Sequence, residues 1–270
     1  MGVFQNPHGK RSGNWKILAL SAMAAMAVAG ISQTTHAALV ASDNAGNSAY
    51  SIGQTFSGLN GGSGFGAWSV TNNSGGNFVS GDKWSEITPW FDIYNPGGNQ
   101  TTATRPLDSV LSSGETLSFD LVLNGLQSNS NASVGFFLAD SAGNGLFTFY
   151  QQGQSSTEGY VVDAGGTTSG IGVSYNYQTV DLMAFTLTSP TTYNFYVNNA
   201  LAHTGTISDA TGGIAQLNFF DNNGGSFSDV QFTNLSITST PLPATFALVL
   251  AGGIGLAGLA IRRRARVARP

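Results

Sequence analysis

Oxygen-bearing side chains cluster in the short stretch "DNNGGSFSD", which runs from Asp221 to Asp229. Asp221, Asn223 and Asp229 offer carboxylate and amide oxygens beside flexible glycines, and hard cations such as Ca²⁺ prefer such ligands. The spacing departs from an EF-hand loop, because Gly225 stands at the third ligand position and Phe232 where the bidentate glutamate belongs. The stretch therefore predicts either a calcium site or a hairpin turn rich in Asn and Gly.

Aromatic side chains are dense in a second stretch, "KWSEITPWFDIYN". Exposed aromatic rings can stack on sugar rings, while neighbouring amides hydrogen-bond the sugar hydroxyls. Trp84, Trp90 and Tyr94 are therefore candidate glycan-binding residues. The alternative is that Trp90 and Phe91 pack inside the protein.

Residues for catalysis are few. Hydrolysis of a glycoside needs two carboxylates flanking the scissile bond. Glu86, Glu115 and Glu158 lie far apart in the sequence, although distant strands could still assemble an inverting pair. The chain has no cysteine, and His203 is its one histidine beyond the first 37 residues, so a catalytic triad would have to be built on it. We therefore expect no catalytic residues, with a glycoside hydrolase as the enzymatic alternative.

Charge is divided unevenly along the chain. All fourteen carboxylates fall between Asp43 and Asp229, and this region holds only two basic residues, Lys83 and Arg105, which gives it a net charge of −12. The other eight basic residues lie in the first sixteen and the last nine positions. Such an acidic region argues against nucleic acid as a partner and favours a cation or a neutral glycan.

Short alternating segments separated by Gly- and Asn-rich turns predict β-strands. In "TLSFDLVLNG" one face is apolar, which indicates a strand with one buried side, formed by Leu117, Phe119, Leu121 and Leu123. The segments "ASVGFFLADSAGNGLFTFY" and "TTYNFYVNNALAHTGTI" each predict a hairpin, and "FSDVQFTNLSIT" predicts a final strand with a bulge at Thr233–Asn234. Residues 38–240 therefore predict an all-β domain built as a two-sheet sandwich.

Two of these segments carry a family resemblance. "YNFYVNNALAHTG" and "FSDVQFTNLSIT" resemble the closing part of concanavalin A-like jelly rolls, the sandwich of lectins, glucanases and laminin-G modules. The resemblance implies a jelly-roll order of strands in a fold that accommodates glycan ligands. A generic immunoglobulin-like sandwich is the alternative.

The N-terminus has the three parts of a secretory signal peptide. A basic stretch ends at Lys16, an apolar run extends from Ile17 to Ile31, and small residues precede Ala37. This order predicts a signal over residues 1–37 with cleavage after Ala37, or alternatively after Ala38. A retained membrane anchor is the other interpretation.

The C-terminal run from Ala244 to Ile261 is apolar and ends at a cluster of arginines. As a helix it would be about 27 Å long, close to the hydrocarbon thickness of a bilayer. By the positive-inside rule, the arginines would hold the C-terminus in the cytoplasm and place the acidic domain outside. The run therefore predicts a single transmembrane helix.

Residues 241–270 as a whole resemble the PEP-CTERM sorting signal of exported bacterial proteins. A proline motif, a glycine-rich apolar run and an arginine cluster follow one another, with these residues at the two ends: Pro241, Leu242, Pro243, Arg262, Arg263 and Arg264. Leu242 stands where the family usually has glutamate. The resemblance implies transient anchoring in the inner membrane, removal of the tail by an exosortase-type enzyme, and delivery to the cell surface or extracellular polysaccharide matrix. A permanent single-span anchor is the alternative.

Overall fold

A computed structural model describes residues 37–72, 75–81, 89–95, 100–124, 132–153, 159–174, 179–207, 212–222 and 229–240. All of them belong to one compact unit, Ala37–Thr240. Within these ranges the regular secondary structure is entirely β, and no helix is long and apolar enough to cross a membrane. The predicted signal helix and transmembrane helix lie outside the described residues.

The strands follow the chain in this order: β1 Ala38–Asp43, β2 Ser69–Asn72, β3 Gly76–Ser80, β4 Trp90–Tyr94, β5 Gln100–Pro106, β6 Glu115–Asn124, β7 Ser133–Ala139, β8 Gly145–Gln152, β9 Val161–Ala164, β10 Thr167–Gly170, β11 Asp181–Leu187, β12 Thr192–Val197, β13 Ala200–Thr206, β14 Gln216–Asn222 and β15 Asp229–Ser239.

Two antiparallel sheets share these strands. The larger sheet has the order β13-β12-β11-β6-β15-β4-β3, and β1 pairs with the second half of β15. The seven-stranded sheet has the order β10-β9-β8-β7-β14-β5-β2. The chain passes between the sheets eight times, as is typical of a jelly roll: β1 to β2, β2 to β3, β4 to β5, β5 to β6, β6 to β7, β10 to β11, β13 to β14 and β14 to β15. The predicted all-β two-sheet sandwich is confirmed.

Local predictions also agree with the structure. The strand predicted from "TLSFDLVLNG" is β6, and its four apolar side chains are buried. The two predicted hairpins are β7–β8 and β12–β13, and the second turns through Asn198 and Asn199, both with positive φ, as a type I′ turn requires. In β15 the register shifts between Thr233 and Ser236, with Asn234 in the left-handed region at φ 53°, which is the predicted bulge.

Aromatic rings fill the space between the sheets. Phe219 from β14 and Phe232 from β15 stack with centroids 3.7 Å apart, and Phe119 from β6 meets Phe136 from β7 edge to face at 4.9 Å. These contacts bury the inward side of each strand, because successive side chains of a strand point to opposite faces. The outward side chains of the two sheets are thereby left to form two separate surfaces.

A buried ion pair joins the sheets at one point. Arg105 on β5 lies 2.6 Å from Asp43 on β1, and both side chains are fully buried. Tyr50 donates its hydroxyl proton to the Asp43 carboxylate at 2.8 Å, and the Arg105 guanidinium lies over the Trp68 ring. Burial raises the pKa of the Asp43 carboxyl, while the neighbouring Arg105 charge opposes that shift. The pair thus neutralises two charges that could not be buried alone.

Two further buried carboxylates connect the sheets through neutral partners. The backbone N–H of Asn95, after β4, donates to the Asp221 carboxylate on β14 at 3.0 Å. Tyr160, before β9, donates its hydroxyl proton to Asp181 at the start of β11 at 2.6 Å. Both contacts cross from one sheet to the other, so they fix the relative position of the strands that carry the surfaces described next.

Candidate functional site

Three neighbouring strands of the seven-stranded sheet each contain two adjacent aromatic residues. Because side chains alternate along a strand, one member of each pair points into the core and the other points outward. The inward rings are fully buried. The outward rings give this outer surface, called the aromatic face below, its character; they are Phe137 on β7, Tyr150 on β8 and Phe220 on β14.

A glycine separates two of these rings. Tyr150 is paired with Gly135, and Gly135 is paired with Phe220, so the three form one row across β8, β7 and β14. Strands lie about 4.8 Å apart, which places the backbones of Tyr150 and Phe220 about 10 Å apart. A Cβ at position 135 would lie 2.1 Å from the carbonyl oxygen of Phe149, so the position requires glycine. Gly135 is buried and Phe220 is only 6% exposed, so Tyr150 is the member of this row with exposed ring surface.

The adjacent row supplies polar groups. Phe137 is paired with Thr148 on one side and with Asn218 on the other, and its ring lies 6.1 Å from that of Phe220. The Thr104 hydroxyl donates to Asn218 Oδ1 at 2.6 Å. Asn218 is only 2% exposed, and its Nδ2 has no hydrogen-bond partner among the described residues. A buried donor without a partner is costly, so an acceptor brought to it by a ligand would be stabilising.

Tyr150 is held in its neutral form. Burial raises the pKa of its hydroxyl, and the negative charge of Asp163 on β9 raises it further. Asp163 lies opposite Thr148 in the strand register, one row from Tyr150. At neutral pH the phenol is therefore protonated and can donate a hydrogen bond as well as offer a ring surface.

The arrangement suits a ligand that has both apolar faces and hydroxyl groups. Partly exposed Tyr150 and Phe137 offer ring surface, and Asn218 and Thr104 offer polar groups at the same level. Among the described strand residues of this face, Asp163 is the single carboxylate. Glycoside cleavage uses two carboxylates, and these residues provide one of them.

The glycan-binding residues predicted from the sequence lie elsewhere. Trp90 and Tyr94 are on β4 and face outward from the larger sheet. Trp90 is 0% exposed, so its ring offers no surface to a sugar, and the alternative that it is buried fits the structure. Tyr94 is 38% exposed, with its ring 6.1 Å from Phe78. Trp84 lies outside the described residues.

The predicted calcium ligands are divided between the sheets. Asp221 is fully buried in β14 and accepts the Asn95 N–H, whereas Asp229 begins β15 in the larger sheet, opposite Tyr94 and Asn124. Asn223 lies outside the described residues. Within the described ranges no three His, Cys, Asp or Glu side chains lie close enough together to hold a metal. Calcium binding stays a prediction.

Of the processing residues, only the signal-cleavage pair is described. Ala37 precedes β1, and Ala38 is its first residue, paired with Ser239 at the end of β15. Cleavage after Ala37 would leave β1 whole, and cleavage after Ala38 would shorten it by one residue. The six sorting residues, Pro241, Leu242, Pro243, Arg262, Arg263 and Arg264, lie outside the described ranges, so sorting stays a prediction.

Sequence reasoning missed the aromatic face, although its signal is present. Adjacent aromatic residues inside an alternating strand require one ring to point outward. The doublets "FF", "FY" and "FF" in "VGFFLA", "FTFYQQ" and "LNFFDN" follow this pattern. What the sequence does not show is that β7, β8 and β14 are neighbours, because β14 is far from the other two along the chain.

Proteins of known structure share this fold at low sequence identity. The cellulose induced protein Cip1 superposes with a TM-score of 0.50 at 16% identity, over 65% of this chain and 92% of its own. A chain described with endo-acting O-glycanases, expressed by members of the human gut microbiota to initiate mucin breakdown, gives a TM-score of 0.50 at 9% identity, over 76% and 100%.

A sialidase gives a TM-score of 0.47 at 12% identity, and the match covers 61% of this chain but 17% of the sialidase. At these identities the likeness shows the fold alone. No protein-family model and no curated protein matches the chain.

Proposed function

We propose that the aromatic face binds a neutral polysaccharide and that the protein is a non-enzymatic binding component of the cell surface or extracellular matrix. The observation that carries this proposal is the partly exposed ring surface of Tyr150 and Phe137 beside the buried Nδ2 of Asn218, which has no hydrogen-bond partner among the described residues. Aromatic surface next to fixed polar groups is how proteins orient ligands that are partly apolar and partly hydroxylated. The fold is shared with chains whose names refer to cellulose and to mucin glycans, and this is in keeping with a carbohydrate ligand.

Charge supports a neutral polymer over an anionic one. The region from Asp43 to Asp229 has a net charge of −12, and Asp163 adds a negative charge to the aromatic face itself. A polymer of uronic acids or sulfated sugars would meet like charge, which lowers both its association rate and its affinity. A neutral glycan meets no such barrier.

Binding without cleavage is supported by the same residues. The described strands bring one carboxylate, Asp163, to the face, whereas hydrolysis needs a pair separated by about 5–10 Å. His203 is also placed away from the face, on β13 of the larger sheet, where its Nδ1 is 3.0 Å from the Tyr193 hydroxyl. We therefore assign the face to binding.

The termini support export. A signal peptide over residues 1–37 would deliver the domain across the membrane, and the tail from Pro241 would hold it there until an exosortase-type enzyme removes it. Intact mass of the protein recovered from outside the cell tests this step. A mass that ends between Pro241 and Ala244 is expected, and a surface form that retains the arginine cluster would contradict tail removal and leave a permanent anchor.

An array of neutral and anionic polysaccharides tests the binding function. The full chain is purified in a detergent without a sugar headgroup and applied in the presence of Ca²⁺ and of a chelator. Binding to at least one neutral polymer, absent from the anionic ones, is expected. Loss of binding on chelation would assign a role to calcium, and equal binding with and without chelator would exclude one. Absence of binding to every polymer in both buffers would overturn the proposal.

A further inference from the structure

A polar cleft of about 470 Å³ lies on the other sheet, beside β1 and the bulge of β15. None of its residues belongs to the aromatic face. Asn234 on β15 donates to Asp120, which points outward from the larger sheet, so the cleft and the aromatic face lie on different sides of the sandwich. We call it the amide cleft after the three asparagines in its lining, which is formed by Ser42, Asp43, Asn44, Asn47, Gly61, Gly62, Ser63, Asn234 and Leu235.

The three asparagine side chains of the amide cleft are held by internal hydrogen bonds. Asn47 donates to the Gly61 carbonyl at 2.5 Å and accepts the Ala49 N–H. Asn44 donates to Asn234 Oδ1 and accepts the Gly46 N–H at 2.6 Å. An amide has two N–H donors and two acceptor lone pairs, so these contacts fix its orientation and leave hydrogen-bonding capacity for a ligand. Such preorganisation reduces the entropy lost on binding.

Two glycines of the amide cleft pack closely against neighbouring residues. A Cβ at Gly62 would lie 2.5 Å from the Ser42 carbonyl oxygen, and one at Gly61 would lie 2.6 Å from the Tyr50 ring. Asn234 has φ 53°, a conformation that L-residues with a side chain adopt at a cost in free energy. Strained positions of this kind persist where the surroundings enforce them, and they are frequent at ligand sites.

The charges beneath the amide cleft cancel. Asp43 is its one lining carboxylate, and it is already bound by Arg105 at 2.6 Å and by the Tyr50 hydroxyl at 2.8 Å. A cation would compete with Arg105 for that carboxylate, and an anion would meet no basic side chain among the described residues that line the cleft. The cleft therefore suits an uncharged ligand with several hydroxyl groups. Its volume lies in the range of small-molecule sites and admits a single sugar residue.

From this geometry we propose that the amide cleft binds one uncharged sugar residue, so that a single domain holds two glycan segments, one on each side of the sandwich. The inference rests on the proposed function for its second site. Two sites on one rigid body link separate chains, and the linked complex is much more stable than either contact alone. The protein would thus crosslink a polysaccharide matrix.

The substitution Asn234→Gly tests the amide cleft. Glycine removes the amide and accepts positive φ without cost, so the variant is expected to fold as the wild type does. Asn199→Gly is the matched control, because Asn199 has φ 64° in the β12–β13 turn, away from the cleft. Circular dichroism melts of the full chain verify both folds.

Saturation-transfer NMR with the methyl glycosides of glucose, galactose and mannose tests the amide cleft, and the variant Tyr150→Ala separates its signal from any contribution of the aromatic face. A signal is expected with the wild type, with Asn199→Gly and with Tyr150→Ala, and its loss is expected in Asn234→Gly. No signal with any of the three probes, or a signal that survives Asn234→Gly, would overturn the inference. This readout does not depend on polymer binding, so the two proposals can fail separately.

Agglutination of beads coated with cellulose, xylan or galactomannan reports on crosslinking. Wild type and Asn199→Gly are expected to agglutinate the beads that they bind. Asn234→Gly is expected to bind the same beads and to need at least tenfold more protein to agglutinate them. Equal agglutination by Asn234→Gly and wild type would contradict crosslinking through the amide cleft. Failure of the wild type to bind any bead would instead count against the aromatic face.

Discussion

The outer surfaces of the two sheets both carry aromatic residues, yet they differ in how these residues are arranged. On the seven-stranded sheet, Tyr150, Phe137 and Phe220 come from three adjacent strands and surround Gly135. On the larger sheet, Tyr94 lies on β4 and Tyr196 on β12, with β15, β6 and β11 between them. On the first sheet the rings come from three adjacent strands. On the second, Tyr94 meets Phe78 on β3 at 6.1 Å, and three strands separate this pair from Tyr196.

The difference shows that aromatic residues that are close together along the chain need not lie on the same surface of the folded protein. "KWSEITPWFDIYN" contains four aromatic residues, and three of them lie on β4, which divides them between its two sides: Phe91 enters the core, and Trp90 and Tyr94 face outward. A binding surface on a sheet is assembled across strands, at intervals of about 4.8 Å, and not along one strand.

The largest expected effect comes from the ion pair that both sheets share. Arg105→Met leaves the Asp43 carboxylate buried beside Tyr50 without its cation, which should lower the free energy of unfolding by about 3–5 kcal/mol. Chemical denaturation measures the change. The double variant Asp43→Leu, Arg105→Met removes both charges and should recover most of the loss; a double variant as unstable as the single one would show that packing, and not the unpaired charge, is responsible.

The second largest effect is expected at Gly135, on the aromatic face, where the structure leaves no room for a Cβ. Gly135→Ala places a Cβ against the Phe149 carbonyl and should cost about 1–3 kcal/mol of stability. Gly145→Ala is the control, since a Cβ there has no neighbour within 4 Å. Thermal melts compare the two variants, and equal melting temperatures would mean that the close approach at position 135 carries no cost.

At Asn218, on the aromatic face, one change is expected to raise the stability of the fold and to weaken polysaccharide binding. Its Nδ2 is buried and unpartnered among the described residues, while its Oδ1 accepts the Thr104 hydroxyl. The double variant Thr104→Val, Asn218→Leu removes both partners of that hydrogen bond and should raise the stability by about 1 kcal/mol. The same change removes the donor that a glycan would use, so polysaccharide binding should weaken. A variant that is both more stable and an equally good binder would exclude this amide from the site.

The smallest effect is expected at the β7–β8 turn, beside the aromatic face. The hydrogen bond from the Asn144 side chain, together with backbone N–H groups of the turn, lowers the pKa of Asp140. A carboxyl whose pKa is lower in the folded state stabilises above its unfolded pKa and loses that contribution as the pH falls. Wild type should therefore lose slightly more stability than Asp140→Asn between pH 5 and pH 3, in melts at each pH; parallel curves would contradict the role of Asp140.

Much of the architecture could be predicted from the sequence, because the alternation of apolar and polar residues and the residue types of turns depend on neighbouring positions in the chain. The β6 face, the Asn198–Asn199 hairpin and the β15 bulge each depend on residues within one or two strands of chain. The aromatic face and the amide cleft depend on pairings over long distances, such as β7 with β14 and Asn44 with Asn234. No local pattern specifies those pairings, so the aromatic face and the amide cleft could not be predicted from the sequence; a glycan site at Trp84, Trp90 and Tyr94 stays a prediction.

A matched pair of tyrosines tests the central claim most directly. Tyr150 and Tyr196 are each the outward member of an aromatic doublet, one on the aromatic face and one on the larger sheet. Isothermal titration of the array-selected neutral polysaccharide should show affinity about three- to tenfold lower for Tyr150→Ala, the amount expected from one stacking contact, and unchanged for Tyr196→Ala. Equal losses in both variants, or a loss confined to Tyr196→Ala, would contradict the assignment of binding to the aromatic face.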